Sequence, residues 1–267
     1  MSVNLSDIAA MGGIAKWALV SLMVPKGTGL ASLDKLYEGF NRVCSTHKLE
    51  LVGGDTVLSP KGLGIHITIL GEIPKKGWFS RSDARPGDKI FVTGSLGDSA
   101  LGLKILKSRR VWKGLKKDLG FLVDRHLNPH PRTEESKLLS GLAQDMGGMI
   151  DISDGLLQDL NHLCYASKVG ALLEEDSLPS SQPFVNITAN NKCDPSELTL
   201  YGGEDYELLF TFRSENVKNL LYRFQKAGKR LTQIGVVTSR SGQITLIEPG
   251  GNRRIIRNPK GFNHFSG

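Results

Sequence analysis

The chain has 267 residues, 39% of them hydrophobic and 23% charged, with a formal net charge of +7. That composition is ordinary for a globular protein and the length suffices for two modest domains or one large one, so a substantial buried core is expected. Cys44, Cys164 and Cys193 are far apart and odd in number. They match neither a disulfide framework nor a zinc-ligand spacing, which points to a reducing, cytosolic compartment. The longest apolar stretch, residues 14–24, contains Lys16 and falls short of the ~20 residues a membrane span requires. Met1 is followed by polar residues, which is not a signal peptide.

In chain order, residues 4–11 read as a short helix and residues 17–24 as a strand apolar enough to be buried on both faces. Residues 33–44 have helical periodicity through Leu33, Leu36, Tyr37, Phe40 and Val43. A short strand into Val52 follows, and then another over 64–73, where Ile65, Ile67 and Ile69 alternate with His66 and Thr68. The aperiodic stretch 74–86 is the expected boundary between an N-terminal lobe, residues 1–84, and a larger C-terminal lobe, residues 85–267. Beyond it, strands are expected at 89–93, 148–150, 171–174, 206–212 and 231–237. Helices are expected at 98–106, 115–126, 133–144, 156–167 and 215–227, with residues 176–197 as a polar loop. A closing hairpin joins 244–247 to 253–256 through Gly250 and Gly251. This alternation argues an α/β or α+β fold with mixed sheets flanked by helices.

The densest basic stretch, Lys104, Lys107, Arg109, Arg110, Lys113, Lys116 and Lys117, is interleaved with Leu103, Ile105, Leu106, Val111, Trp112 and Leu115 at roughly helical spacing. It reads as a solvated helix face and not as a nucleic-acid site; no nucleic-acid module accompanies it. Net positive charge suits equally a protein that attracts phosphate-bearing small molecules.

Four acidic motifs place carboxylates beside small residues at element boundaries: Asn4-Leu5-Ser6-Asp7, Gly53-Gly54-Asp55-Thr56, Asp151-Ile152-Ser153-Asp154-Gly155 and Gly202-Gly203-Glu204-Asp205-Tyr206. Oxygen-rich sets of this kind suit magnesium shared with substrate phosphates. Each motif also has a plainer reading. Asp7 and Asp154 could cap helices, Gly53-Gly54-Asp55-Thr56 could be a turn after a strand, and Gly202-Gly203 could admit positive φ. Asp151 and Asp154 are harder to dismiss, because two carboxylates three residues apart repel unless a cation or hydrogen bonds offset them. Arg81 is a surface cation or the partner of a nucleotide phosphate. Phe262 either pins the tail or offers a stacking face. A P-loop, a Gly-x-Gly-x-x-Gly turn, a serine nucleophile elbow and a zinc helix are all missing from the sequence. His126 and His130 are separated by Pro129, which argues against a helical metal pair.

These motifs, in this order and continuing to Gly261-Phe262-Asn263-His264-Phe265, resemble the thiamine-monophosphate kinases, relatives of aminoimidazole ribonucleotide synthetase and selenophosphate synthetase. The resemblance implies a two-lobe fold of that superfamily. It also implies transfer of the γ-phosphate of ATP to thiamine monophosphate with magnesium, giving thiamine diphosphate without a covalent phosphoenzyme. By position, Asp7, Asp55, Asp151 and Asp154 match the metal ligands; Gly54, Asp55, Arg81 and Ser153 match ATP contacts; Glu204 and Phe262 match substrate contacts. A cytoplasmic homodimer, with the N-terminal lobes building a shared barrel, is also implied. Relatives carry a further segment with metal ligands and barrel strands before the Asn-Leu-Ser-Asp motif, so the expectation is a chain lacking it. The alternatives are a related ATP-dependent synthetase and a nucleotide-binding remnant without turnover.

Overall fold

The computed structural model describes residues 1–75, 77–257 and 259, apart from the side chain of Ser214. Helix α1, Ser2–Ala10, leads into strand β1, Ile14–Pro25, helix α2, Leu30–His47, and strands β2, Glu50–Ser59, and β3, Gly64–Glu72. These strands make a three-stranded sheet in the order β2-β1-β3, parallel between β1 and β2 and antiparallel between β1 and β3.

After β4, Lys89–Thr93, come α3, Asp98–Lys107, α4, Lys116–Leu127, α5, Thr133–Ser140, β5, Met146–Asp151, and α6, Leu156–Ser167. Then follow β6, Gly170–Glu174, α7, Gln182–Asn191, α8, Pro195–Tyr201, β7, Leu208–Phe212, α9, Val217–Lys226, and β8, Leu231–Thr238. The hairpin of β9, Ile244–Ile247, and β10, Arg253–Ile256, completes a seven-stranded mixed sheet ordered β10-β9-β6-β8-β4-β7-β5. Its strands β4 and β7 read as continuous apolar runs because helices cover both faces, and Ile90, Phe91, Val92, Leu209 and Phe210 are fully buried.

Several expectations need correction. Strand β1 is not buried on both faces: Ala18, Val20 and Leu22 face the core while Trp17, Leu19 and Met23 are exposed, the period-2 alternation of a sheet with one covered side. Gly53-Gly54-Asp55-Thr56 is not a turn but lies within β2, where Gly54 pairs with Val20. A Cβ at Gly54 would stand 1.7 Å from the Val20 carbonyl oxygen, so the bulged register of β1 against β2 requires glycine there. The basic stretch is not one helix face, since α3 ends at Lys107 and α4 starts only at Lys116; between them Arg110 lies 3.8 Å over the Trp112 ring. The polar loop expected at 176–197 contains helix α7 and the start of α8, capped by Ser181 accepting from Phe184 N–H and Asp194 accepting from Ser196 and Glu197 N–H. The helix expected over 133–144 stops at Ser140, giving way to a 3-10 turn, Ala143–Asp145.

Helix α1 lies between the sheets. Leu5 is buried against the first, the Ala9 carbonyl accepts from the Ser136 hydroxyl of α5 at 2.6 Å, and Met149 N–H of β5 donates to Ser80 O at 2.9 Å. Those contacts bring Asp7, Arg81 and the end of β5 together.

Candidate functional site

Strand β5 ends at Asp151, and the loop Ile152-Ser153-Asp154-Gly155 turns the chain into α6. Asp151, only 4% exposed, lines a cavity of about 410 Å³ with Asp7, Met11, Phe79, Arg81 and Ser82. Burial pushes the carboxyl of Asp151 up from its ordinary value; nearby Asp7 pushes the same way, while Ser6 and Arg81 oppose. Asp7 is likewise raised, first by partial burial, with Arg81 opposing. The Ser6 hydroxyl is fully buried and has no hydrogen bond of ordinary length, yet it stands close enough to Asp151 to favour the ionised form. Two repelling carboxylates and one guanidinium at a cavity wall suit a hard cation and an anionic ligand together.

Neither Asp7 nor Asp154 is a helix cap. Asp7 is the sixth of the nine residues of α1. The amides around Asp154 are satisfied by Asp159, whose Oδ2 accepts from Ser153, Asp154 and Gly155 N–H at 3.0, 3.0 and 3.2 Å. Ligand-type atoms of Asp154, Asp159 and His162 lie within 4.8 Å of one another.

The Glu204 loop is joined edge to edge with this one. Glu204 N–H donates to Ser153 O and Tyr206 N–H to Ile152 O, both at 2.9 Å, and Ile152 N–H donates back to Glu207 O at 2.8 Å. The expected positive φ of the Gly202-Gly203 pair falls instead on Glu204, at 65°, and Tyr206, at 51°. Glycine is required at 203 for space, because a Cβ there would sit 2.5 Å from Ser153 O. Burial raises the Tyr206 phenol, and the charges of Glu204, Asp151, Asp7 and Asp154 raise it further. Glu204 and its loop line a second cavity, about 350 Å³, with Ala100, Leu103, Lys107 and His126; His126 Nδ1 lies 3.3 Å from the Glu204 carboxylate and 3.1 Å from Ser99 Oγ.

Beneath the loop, Glu207 is fully buried and accepts from Arg125 Nη2 at 3.0 Å, Arg132 Nε at 2.6 Å and Thr93 Oγ1 at 2.7 Å. Asp205 accepts from Gly97 and Ser99 N–H at 2.7 and 3.2 Å. Its carboxyl is pushed up to about 8, chiefly by burial.

Asp55 does not line the Asp7–Asp151 cavity. With Gly54 and Thr56 it lines another, about 470 Å³, beside Tyr37 of α2, and its Oδ1 accepts from Thr56 N–H at 2.8 Å. Of the residues singled out on sequence, Asp7, Arg81 and Asp151 line one cavity, Ser153 and Asp154 lie on the loop hydrogen-bonded to that of Glu204, which lines a second, and Gly54 and Asp55 line a third. Phe262 lies outside the described residues. The reading misses Tyr37, which the periodicity of α2 assigns simply to an apolar face, and the supporting Asp159, Arg125, Arg132 and Glu207.

Two domain families match the chain: AIR synthase related protein, N-terminal domain, over residues 1–73, and AIR synthase related protein, C-terminal domain, over residues 85–247. Thiamine-monophosphate kinase of Buchnera aphidicola subsp. Schizaphis graminum is 38% identical across 99% of this chain and 79% of that protein. The enzyme of the same name from Bacillus subtilis is 35% identical over equal shares. Among solved structures, AaThiL complexed with AMPPCP and TMP superposes with a TM-score of 0.84 at 34% identity, covering 99% of this chain and 78% of that one. Thiamine-monophosphate kinase from Stenotrophomonas maltophilia superposes with a TM-score of 0.82 at 32% identity, over 92% and 76%. With relatives of that name 38% and 35% identical over 79% of their own length, and a solved structure superposing at a TM-score of 0.84, the chain belongs to the thiamine-monophosphate kinase family.

Proposed function

We propose that this chain transfers the γ-phosphoryl group of ATP to the phosphate of thiamine monophosphate, forming thiamine diphosphate and ADP, with Mg2+ as the cation. The observation that carries the reading is the backbone junction of the two loops, Glu204 N–H to Ser153 O and Tyr206 N–H to Ile152 O. It holds the loop of Glu204, which in this reading contacts the substrate, against the loop that follows Asp151 and carries Asp154, in a family whose named relatives are thiamine-monophosphate kinases.

All the donors offered by Asp7, Asp151 and Asp154 are carboxylate oxygens, the set a hard divalent ion prefers. In this reading they hold Mg2+, Asp55 adds a further ligand from the other sheet, and Arg81, Ser153 and the backbone at Gly54 bind ATP. Bound there, the cation supplies charge neutralisation for phosphoryl transfer. The residues themselves position and screen: Arg81 faces the phosphates, Ser153 and Asp154 are held by the loop junction, and Glu204 and Phe262 contact thiamine monophosphate. Tyr37, beside Gly54 and Asp55, offers an aromatic face near the nucleotide end.

The two-lobe division near residue 84 follows the gap between the two family matches, at residues 73 and 85. A homodimer is supported by the open face of the first sheet, where Trp17, Leu19, Met23, Val57 and Leu70 are exposed. A cytoplasmic site agrees with free cysteines throughout and with described helices none of which is long and apolar enough to cross a membrane.

The test is incubation with Mg2+, ATP and thiamine monophosphate, with thiamine diphosphate read by chromatography and mass by light scattering. Thiamine diphosphate from a dimer is expected. ATP binding without product, or product only with a different phosphoryl acceptor, overturns the substrate assignment.

A further inference from the structure

The start of α6 would ordinarily be a receptor for phosphate. A glycine precedes the helix, Gly155 at φ 116°, and the successive amides of Ser153, Asp154 and Gly155 converge on one point, the concave arrangement of N–H groups that captures anions at helix N-termini. That point is already filled. Asp159, from the first turn of the same helix and 2% exposed, places a single oxygen, Oδ2, on all three amides.

We infer that Asp159 is the positioning residue of the cation loop: by occupying the anion nest of α6 from within, it fixes residues 152–155 and with them the placement of Asp154 relative to Asp151, which lines the ligand cavity. This rests on the reading above that Asp151 and Asp154 hold a divalent cation. The geometry makes three demands that one side chain meets. The nest and the positive end of the helix call for a negative partner. The loop needs a fixed curvature, since its outer carbonyls, Ile152 O and Ser153 O, must meet Tyr206 and Glu204 N–H. Asp154, in the middle of the nest, is spared from capping its own helix, because Asp159 takes the amides that a residue before α6 would otherwise satisfy. One consequence is that α6 does not bind nucleotide phosphate through its N-terminus; phosphate is reached through the carboxylates and Arg81 on the other side of the loop.

The experiment uses the full chain with Asp159→Asn and Asp159→Ala, and titrates Mn2+ by electron paramagnetic resonance without nucleotide. Positioning partners behind metal ligands typically change affinity 10–100-fold. A loss of about tenfold or more in Mn2+ affinity is expected for Asp159→Asn, with an unchanged far-ultraviolet circular dichroism spectrum. The Mg2+ concentration giving half-maximal turnover should rise by a similar factor, while kcat at saturating Mg2+ stays within about threefold. A merely structural role would lower the melting temperature and the active fraction without moving the Mn2+ affinity of the folded protein. If Asp159→Ala does not fold, Asp159→Asn, which keeps the volume and one acceptor oxygen, decides. Equal Mn2+ affinity in Asp159→Asn and the unsubstituted chain overturns the inference, as does failure of the unsubstituted chain to bind Mn2+. Lost Mn2+ binding in the variant, in a chain that never makes thiamine diphosphate, leaves the inference standing and removes only the substrate reading.

Discussion

Removing the Glu207 carboxylate should destabilise the C-terminal sheet more than almost any other single polar change. Glu207 is fully buried, and it is held by Arg132 through both oxygens, by Arg125 at 3.0 Å and by the Thr93 hydroxyl at 2.7 Å. Glu207→Ala leaves two guanidinium groups facing each other with their shared anion gone. Breaking a buried pair by deleting one partner costs about 3–5 kcal/mol, and at about 2–4 °C per kcal/mol for large domains the melting temperature should drop by roughly 6–20 °C. Glu207→Gln keeps the volume and one acceptor, so its loss should fall in the lower half of that range. Urea denaturation followed by tryptophan fluorescence and circular dichroism measures both. Pairing Glu207→Ala with Arg132→Ala tests the cause, because the double variant should lose less than the sum of the singles. A loss below about 1 kcal/mol for Glu207→Ala, the worth of an exposed ion pair, would refute the network as a source of stability.

Three more expectations follow from the geometry. Asp151→Asn should cut thiamine diphosphate formation by about a hundredfold or more, the range for losing a group that stabilises transition-state charge. Its metal-free melting temperature should nevertheless hold or rise, because burial makes the ionised carboxylate unfavourable there; a clear drop would contradict this. Gly54→Ala forces a methyl against Val20 O and should separate β2 from β1, with a loss of about 3 kcal/mol, as in the upper range for overpacking, read by thermal denaturation; unchanged stability would show that the bulge can relax. The last concerns pH. Asp205, with Asp98, Arg125 and Arg132 as its charged neighbours, has its folded pKa raised to about 8 from 3.8, first by burial. The folded state therefore binds the proton more tightly, and its contribution to stability is present below pH 3.8 and lost as pH rises to about 8. In Asp205→Asn the deficit against the unsubstituted chain should shrink by about 1 kcal/mol or more between pH 5 and pH 9, where one pKa unit corresponds to about 1.4 kcal/mol. A deficit independent of pH would reject the assignment.

The alternation of elements and the order of the acidic motifs were both readable because each rests on local pattern. Ile90 to Val92 and Leu208 to Phe212 form apolar runs between turn residues, and Asp151 follows the short apolar pair Met149-Ile150 at the end of β5. What sequence pattern does not carry is convergence over distance. Glu207 meets Arg125 and Arg132 across 82 and 75 positions, and no period connects them. Gly53-Gly54 reads as a turn because glycine pairs usually are one, whereas here the constraint is the Val20 carbonyl behind Gly54. The helices α7 and α8 did carry local signals, Ser181 before Gln182-Pro183 and Asp194 before Pro195, but the polar composition of the stretch outweighs them in a hydropathy reading. Asp159 is masked for the opposite reason: on sequence it is one more acidic residue in the first turn of a helix.

The left-handed backbone at Glu204 and Tyr206 has a practical consequence for anyone engineering this enzyme for heat tolerance. Residues with side chains in that region carry strain of the order of 1 kcal/mol or more, which glycine would relieve. A selection that rewards only survival at high temperature is therefore free to accept Glu204→Gly and Tyr206→Gly, variants that keep the fold and discard the carboxylate and ring above the site. Libraries should hold both positions fixed, or screen for turnover in the same round.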